Sequence, residues 1–260
     1  RPENLQTRLT AEIGVLEREE EKGASGAKEK LITALKRSVD SFPSRPESLD
    51  DRARLTELTG DKTWLESAVK VSELLATKPA ALKGLDYTEG DILQMQASYR
   101  EELGLKQKAS DSWKRAAAYY RRSAKNADDR GSSLELAYCL WKSGDVNGAT
   151  KIYERFEKKY PDEFTFYYGH ASMLLAQKAE AQAELKARRA LEFAYGDNRL
   201  RTAGVLAKAL KAQSKNAEAK AVIHEAIQAA KLPADIEARV NQGVRTYRYV
   251  KALLNIEKDL

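Results

Sequence analysis

Apolar residues recur every three or four positions along most of the chain, with polar and charged residues between them. Between residues 130 and 163, for example, the pattern includes Leu140, Tyr153 and Phe156, and Gly144 interrupts it. A spacing of three to four residues places the apolar side chains on one face of an α-helix, and a glycine inside such a pattern favours a turn. The pattern therefore predicts two helices joined by a short turn.

Small residues repeat with the same spacing, at intervals of roughly 35 residues, which is a period typical of helical-repeat proteins. Two helices approach closely only where the crossing residues are small, while large side chains such as Trp113 and Tyr153 fill the space between neighbouring pairs. The alanines predicted at the crossings are Ala97, Ala137, Ala171 and Ala207 on the first helices and Ala109, Ala149, Ala183 and Ala219 on the second helices.

This combination of small positions, a glycine in the turn and a proline after the second helix resembles the tetratricopeptide repeat. The segment 130–163 matches the repeat best, and the segments 90–127, 164–197 and 200–233 share its spacing. The resemblance implies an all-α fold, a right-handed superhelical solenoid of about six antiparallel helix pairs with a capping helix at the C-terminus.

The two ends of the chain follow the pattern less closely. Residues 1–80 are predicted to form divergent helix pairs, and within them Thr63 and Glu66 have the spacing of a helix capping box. Residues 90–233 form the repeats, and residues 235–258 are predicted to be one long capping helix. Because the linkers at 41–49 and 83–88 are short, we expect residues 1–260 to be a single helical-repeat domain.

The composition supports a folded helical protein, with 42% hydrophobic and 32% charged residues. No apolar run is long enough for a transmembrane helix. The sequence begins at Arg1 without an initiator methionine, which we interpret as a fragment of a longer or processed chain. The lone Cys139 suits a bacterial cytoplasm or periplasm equally, so the sequence does not assign the compartment.

Signs of catalysis are absent from the sequence. The two histidines, His170 and His224, fall in different repeats, and Cys139 has no second cysteine, so we predict neither a metal site nor a cofactor. Nucleophile elbows, phosphate loops and dinucleotide fingerprints are missing. We expect His170 to be a core residue and the chain not to be an enzyme.

The resemblance places the binding groove on the concave face, which the first helix of each pair lines. Aromatic residues would occupy its middle and lysines one end, so we predict a protein or peptide partner with apolar anchors and an acidic end. In the alternative interpretation, the aromatic residues only pack against each other and the adjoining repeats. The predicted groove residues are Gln94, Ser98, Tyr138, Trp141, Tyr168, Ser172, Lys208 and Lys211.

Other functions stay open at this point. Some family members bind a C-terminal carboxylate with lysine and asparagine residues, but Leu134 and Tyr138 stand at the corresponding places here. Residues 190–198 resemble bacterial repeat regions that follow a thioredoxin-like domain, which makes an accessory domain of such a protein the alternative.

The formal net charge of +6 is mild, and basic pairs such as Arg121-Arg122 lie on separate predicted helices, so nucleic acid is not expected. Self-association through a repeat end is a further alternative.

Overall fold

A computed structural model describes residues 2–21, 23–124, 129–232 and 245–260. The described residues form thirteen α-helices and one short 3-10 helix (Pro79–Leu82), and none of them is in a strand. By their internal contacts the residues divide into two compact units, Arg1–Ala149 and Thr150–Leu260, called unit 1 and unit 2 below. The all-α prediction is confirmed. The prediction of one domain stays a prediction.

Unit 1 consists of helices that pack on their neighbours in chain order, as helix pairs joined by short turns. These helices are α1 (Pro2–Glu21), α2 (Ala27–Ser41), α3 (Glu47–Thr59), α4 (Thr63–Thr77), α5 (Glu89–Glu102), α6 (Lys106–Ser123) and α7 (Arg130–Lys142).

Among its described residues, unit 2 also consists of helix pairs, with one described helix after the last pair. Its helices are most of α8 (Val146–Lys159), then α9 (Phe164–Ala176), α10 (Glu180–Phe193), α11 (Asp197–Ala212), α12 (Asn216–Ala229) and α13 (Arg245–Lys258). No described helix is both long enough and apolar enough to cross a membrane.

The alanines predicted at the helix crossings are all buried, each with a relative exposure of 1% or less. A larger side chain at these places would push the paired helices apart, because protein interiors are close-packed. Trp113 is buried in unit 1 and Tyr153 in unit 2, as expected for the large residues between pairs.

The turns inside four successive pairs have one conformation although their residues differ. Gly104, Gly144, Lys178 and Ser214 each have a positive φ, of 75°, 98°, 59° and 61°. In each turn the N–H of the following residue donates to the carbonyl five residues earlier, at 2.8–3.0 Å. This is the Schellman arrangement that ends a helix with one left-handed residue. The repeat therefore keeps this turn even where a lysine or a serine replaces glycine.

The predicted capping box at Thr63 is wrong. Thr63 is itself the first residue of α4, and Asp61 Oδ1 accepts from both the N–H of Thr63, at 2.9 Å, and its hydroxyl, at 2.7 Å. A capping box occurs instead at the start of α5, where Thr88 and Asp91 cap each other. Thr88 ends a segment that the sequence pattern indicated only as a linker.

Residues 235–244 of the predicted 235–258 helix lie outside the described residues, and α13 covers the rest of that prediction. Helix α13 packs mainly on α11 and also on α12. Val250 and Leu253 are buried in the unit 2 core, and Gly204 of α11 faces Leu253. Thr246 donates to Asp197 Oδ1 at 2.6 Å. Helix α13 thus covers one side of α11, the first helix of the last pair.

Candidate functional site

The predicted groove residues of unit 1 lie on α5 and α7, the first helices of two successive pairs. Ala97 and Ala137 are fully buried and therefore set the rotation of both helices. Ser98 is exposed, while the aromatic side chains of Tyr138 and Trp141 are partly exposed. We call the surface of α5 and α7 that carries Gln94, Ser98, Tyr138 and Trp141 the unit 1 face.

Gln94 links the two helices of the unit 1 face. Its Nε2 donates to Glu135 Oε2 of α7 at 2.7 Å. Asp91, one turn earlier on α5, accepts from the hydroxyl of Tyr120 at 2.7 Å, and burial together with this bond raises the pKa of Tyr120. Polar contacts therefore hold the beginning of the face in place.

Three aromatic rings meet at the other end of the unit 1 face. Tyr138 contacts Trp113 and Trp141 edge to face, with both pairs of ring centroids 5.5 Å apart. Trp113 belongs to α6 and is almost completely buried, so it anchors the two partly exposed rings of α7. Aromatic pairs in this geometry stabilise the fold by about 0.5–1.5 kcal/mol beyond the area they bury. Tyr138 and Trp141 are therefore held in fixed positions.

An ion pair borders this cluster. Lys142 Nζ lies 2.8 Å from Glu101 Oε2 and 5.5 Å from the ring centroid of Trp113. The indole N–H of Trp113 donates to the other oxygen, Glu101 Oε1, at 3.0 Å. Both partners remain partly exposed, with 26% of the Lys142 side chain and 38% of the Glu101 side chain accessible. The sequence pattern did not indicate that these two residues meet.

The predicted groove residues of unit 2 lie on α9 and α11, and we call the surface that carries Tyr168, Ser172, Lys208 and Lys211 the unit 2 face. Ser172 Oγ donates to the carbonyl of Tyr168 at 2.9 Å. The guanidinium of Arg201 lies 5.0 Å from the ring centroid of Tyr168 and 5.8 Å from that of Tyr249 in α13. Arg201 thus joins the unit 2 face to the last helix.

Helix α13 changes the predicted basic end of the groove. Lys211 was predicted to face an acidic partner, but its Nζ lies 3.6 Å from Asp259 Oδ2 just after α13. The reason is the path of α13, which runs along α11 and brings its own carboxylate to Lys211. Lys208 is exposed. Lys211 also remains accessible, with 39% of its side chain and 72% of the Asp259 side chain exposed, so both predicted lysines stay candidates.

His170 and Cys139, two groups with catalytic potential, are buried in the packing. His170 is buried, as expected, and its Nδ1 lies 2.8 Å from Glu157 Oε1, while its ring stacks on Tyr153. Burial raises the pKa of Cys139 to about 12, and Glu135 adds to this shift, so its thiol stays protonated and is not a reactive thiolate. Within the described ranges, no group of three or more histidine, cysteine, aspartate or glutamate residues could hold a metal ion.

Sequence reasoning missed the buried ion pair of unit 2. Lys186 Nζ lies 2.5 Å from Glu157 Oε2, and Glu157 is only 6% exposed. The only sequence signal was a glutamate next to Phe156 on the apolar side of α8, and a solvated residue gives much the same pattern.

The comparisons with known proteins bear on the fold. No family model matches the chain, and no curated protein matches it. Among solved structures, BtubC from P. vanneervenii is 15% identical, with a TM-score of 0.48, covering 78% of this chain and 90% of its own. A thermophilic tetratricopeptide repeat protein of Thermus thermophilus is 20% identical, with a TM-score of 0.43, covering 79% and 99%.

A third solved structure is the Rap conjugation gene regulator of plasmid pLS20 in complex with the Phr* peptide. It is 14% identical, with a TM-score of 0.45, covering 98% of this chain and 82% of that chain. Tetratricopeptide repeat proteins are thus among the solved structures that this chain resembles.

Proposed function

We propose that this chain is a protein-interaction module that binds a peptide or protein segment on its first-helix faces, above all on the unit 1 face. The observation that carries the proposal is the partly exposed aromatic pair Tyr138 and Trp141, in which Tyr138 packs on the buried Trp113. Large aromatic side chains with little freedom to lose are the residues that dominate protein interfaces.

The partner supplies apolar anchors to the unit 1 face. Tyr138 and Trp141 offer contact area, and the exposed Ser98 offers a hydroxyl group on the same face. The Gln94 amide, at the other end of the face, already donates to Glu135. On the unit 2 face, Lys208 is the exposed counterpart for the acidic end of such a partner.

The proposal is tested by affinity capture from a lysate of the source cell, followed by mass spectrometry. The wild-type chain is compared with a Tyr138→Ala, Trp141→Ala double variant whose helicity has been checked by circular dichroism. Tyr195→Ala is the matched control, because Tyr195 is a highly exposed aromatic residue outside both faces. We expect a protein that the wild type and the control capture and the double variant loses. Equal capture by all three chains would contradict the proposal.

A photo-crosslinking amino acid at position 98 gives a second readout that leaves the aromatic cluster intact. Ser98 lies on the unit 1 face, while Lys114 is exposed on the outer side of α6 and serves as the control position. We expect the captured protein to crosslink from position 98 and not from position 114. The opposite result would move the interface to the outer surface.

A further inference from the structure

The position of Lys142 suggests which chemistry the unit 1 face recognises. Its ammonium group lies against the Trp113 ring and at hydrogen-bond distance from Glu101, so an aromatic surface and a carboxylate together hold one cation. Such a combination binds cations because the ring face carries partial negative charge and the carboxylate a full one.

The carboxylate of Glu101 is oriented for this task by the core of the unit. The Trp113 indole N–H holds Oε1, so that Oε2 is the oxygen presented to the cation. Trp113 itself is 1% exposed and cannot move away without disrupting the pair formed by α5 and α6. The anionic half of the site is therefore fixed, whereas the cationic half sits on a flexible lysine stem.

The ion pair itself is weakly held. Both side chains are partly exposed, and pairs of this kind add at most about 1 kcal/mol to stability. Lys142 can therefore leave Glu101 at low cost when another cation takes its place.

The charge around the site also favours a cation. Glu102 is exposed and follows Glu101 in the chain, while Asp91 and Glu135 add negative charge at the other end of the same two helices. Arg100, the other cation of this part of α5, is turned away and pairs with Glu73 of α4 at 2.6 Å. The unit 1 face thus combines aromatic area with an excess of negative charge.

We propose that the partner inserts a lysine or arginine side chain beside Trp141 and Tyr138, where it displaces Lys142 from Glu101 and Trp113. Lys142 is then an internal stand-in for the partner's cation. This inference rests on the proposed function and adds that the anchor segment which binds the unit 1 face is basic. The anchor is aliphatic or aromatic beside the cation, since Tyr138 and Trp141 offer the neighbouring surface.

The test uses a labelled peptide with lysines spaced in a neutral, apolar background and measures its binding by fluorescence anisotropy. An arginine version tells the two cations apart, and a glutamate version reverses the charge. The variants are Lys142→Met, which keeps the apolar stem, and Glu101→Gln, which keeps an acceptor for the Trp113 N–H. Lys114→Met and Glu66→Gln are controls with the same changes in charge at exposed positions outside the unit 1 face.

We expect the basic peptides to bind the wild type and Lys142→Met to tighten binding by about two- to fivefold, because the internal competitor is gone. Glu101→Gln is expected to weaken binding by about tenfold, and each control to change it less than its matched variant. If the glutamate peptide binds instead and Lys142→Met abolishes that binding, Lys142 is an anion receptor and the inference is wrong. Failure of both peptides to bind any variant also overturns it.

The two proposals fail separately. The capture experiment depends on Tyr138 and Trp141 whatever the charge of the partner, whereas the peptide series depends on the sign of the charge. Loss of capture in the aromatic variant together with a reversed peptide preference would keep the proposed function and reject the basic anchor. Equal capture by all chains would remove the basis of both.

Discussion

The two units each contain a lysine–glutamate pair next to an aromatic ring, but they place it differently. In unit 1, Lys142 lies 5.5 Å from the Trp113 ring and pairs with a partly exposed Glu101. In unit 2, Lys186 lies 5.9 Å from the Tyr167 ring and pairs with the buried Glu157. The first pair joins the ends of two first helices, and the second joins two second helices. The same chemistry can therefore be a displaceable contact in one place and a structural one in another.

Hydrogen bonding explains the difference in the cost of breaking the pairs. Glu157 also interacts with His170 at 2.8 Å, and the Tyr167 hydroxyl donates to the carbonyl of Glu157 at 3.2 Å. Water does not solvate a buried carboxylate that has lost a partner, so breaking the pair lowers the free energy of unfolding strongly. Glu101 is partly exposed, and water replaces its partner when Lys142 leaves.

The largest expected effect comes from removing each lysine in turn. Lys186→Met is expected to lower the free energy of unfolding by about 2–4 kcal/mol, because it leaves Glu157 charged and underpaired in the core. Lys142→Met makes the same chemical change and is expected to cost at most about 1 kcal/mol. Urea denaturation followed by circular dichroism measures both. Equal losses of unfolding free energy in the two variants would show that burial of the carboxylate does not set the cost of breaking the pair.

A change in stability of intermediate size is expected when the pH is lowered. Burial alone raises the pKa of Glu157, but hydrogen bonds from His170 and Lys186 outweigh burial, so its pKa is lowered from the usual 4.5. Because the pKa of Glu157 is lower in the folded than in the unfolded state, the ionised carboxylate stabilises the fold. This stabilisation is complete above about pH 4.5 and is lost as the pH falls through the folded pKa. In unit 1, burial raises the pKa of Asp51 despite a hydrogen bond from Ser38 at 2.6 Å. Protonation of Asp51 in acid therefore favours the folded state.

Acid is thus expected to weaken unit 2 more than unit 1, and the tryptophans can show it. All three tryptophans of the chain lie in unit 1, whereas circular dichroism reports every helix. We expect the urea midpoint measured by circular dichroism to fall below the fluorescence midpoint as the pH approaches about 4. Asp51→Asn serves as the control, because it removes the acid-favoured contribution of unit 1. Midpoints that move together would contradict the assignment.

The smallest effect concerns the turns. Lys178→Gly and Ser214→Gly in unit 2 are each expected to raise the stability by up to about 1 kcal/mol, since glycine adopts a positive φ without strain. Gly144→Lys in unit 1 is expected to lower it by about the same amount. Thermal unfolding gives the shifts in Tm, and Gly131→Lys, at a glycine inside α7 whose φ is not positive, separates turn strain from general side-chain effects.

Several parts of the fold could be predicted because they depend on local spacing. Ala137 and Ala171 recur at positions where only a small residue lets two helices meet, and this signal does not depend on the rest of the chain. The error at Thr63 has a local cause too. Asp61 precedes it by two residues and offers a better-placed acceptor for the N–H groups at the start of α4, while the real capping box at Thr88 was hidden in a predicted linker.

The candidate site could be predicted only in part. The helical register placed Tyr138 and Trp141 side by side on α7, and the structure confirms their contact. Nothing in the sequence connected Lys211 with Asp259, because the path of the last helix along α11 depends on which apolar surface Val250 and Leu253 find to bury. The single groove formed by all eight predicted residues stays a prediction.

By itself, the sequence determined the helices, their pairing and the residues at the crossings, because these follow from the spacing of apolar and small residues within a few turns of the chain. Only the tertiary structure decided which charges meet. Glutamates and lysines are frequent at helical spacing throughout this chain, so each carboxylate had many plausible partners. Packing pairs Lys142 with the partly exposed Glu101 and Lys186 with the buried Glu157. The burial of each pair, which the sequence does not show, sets the cost of breaking it.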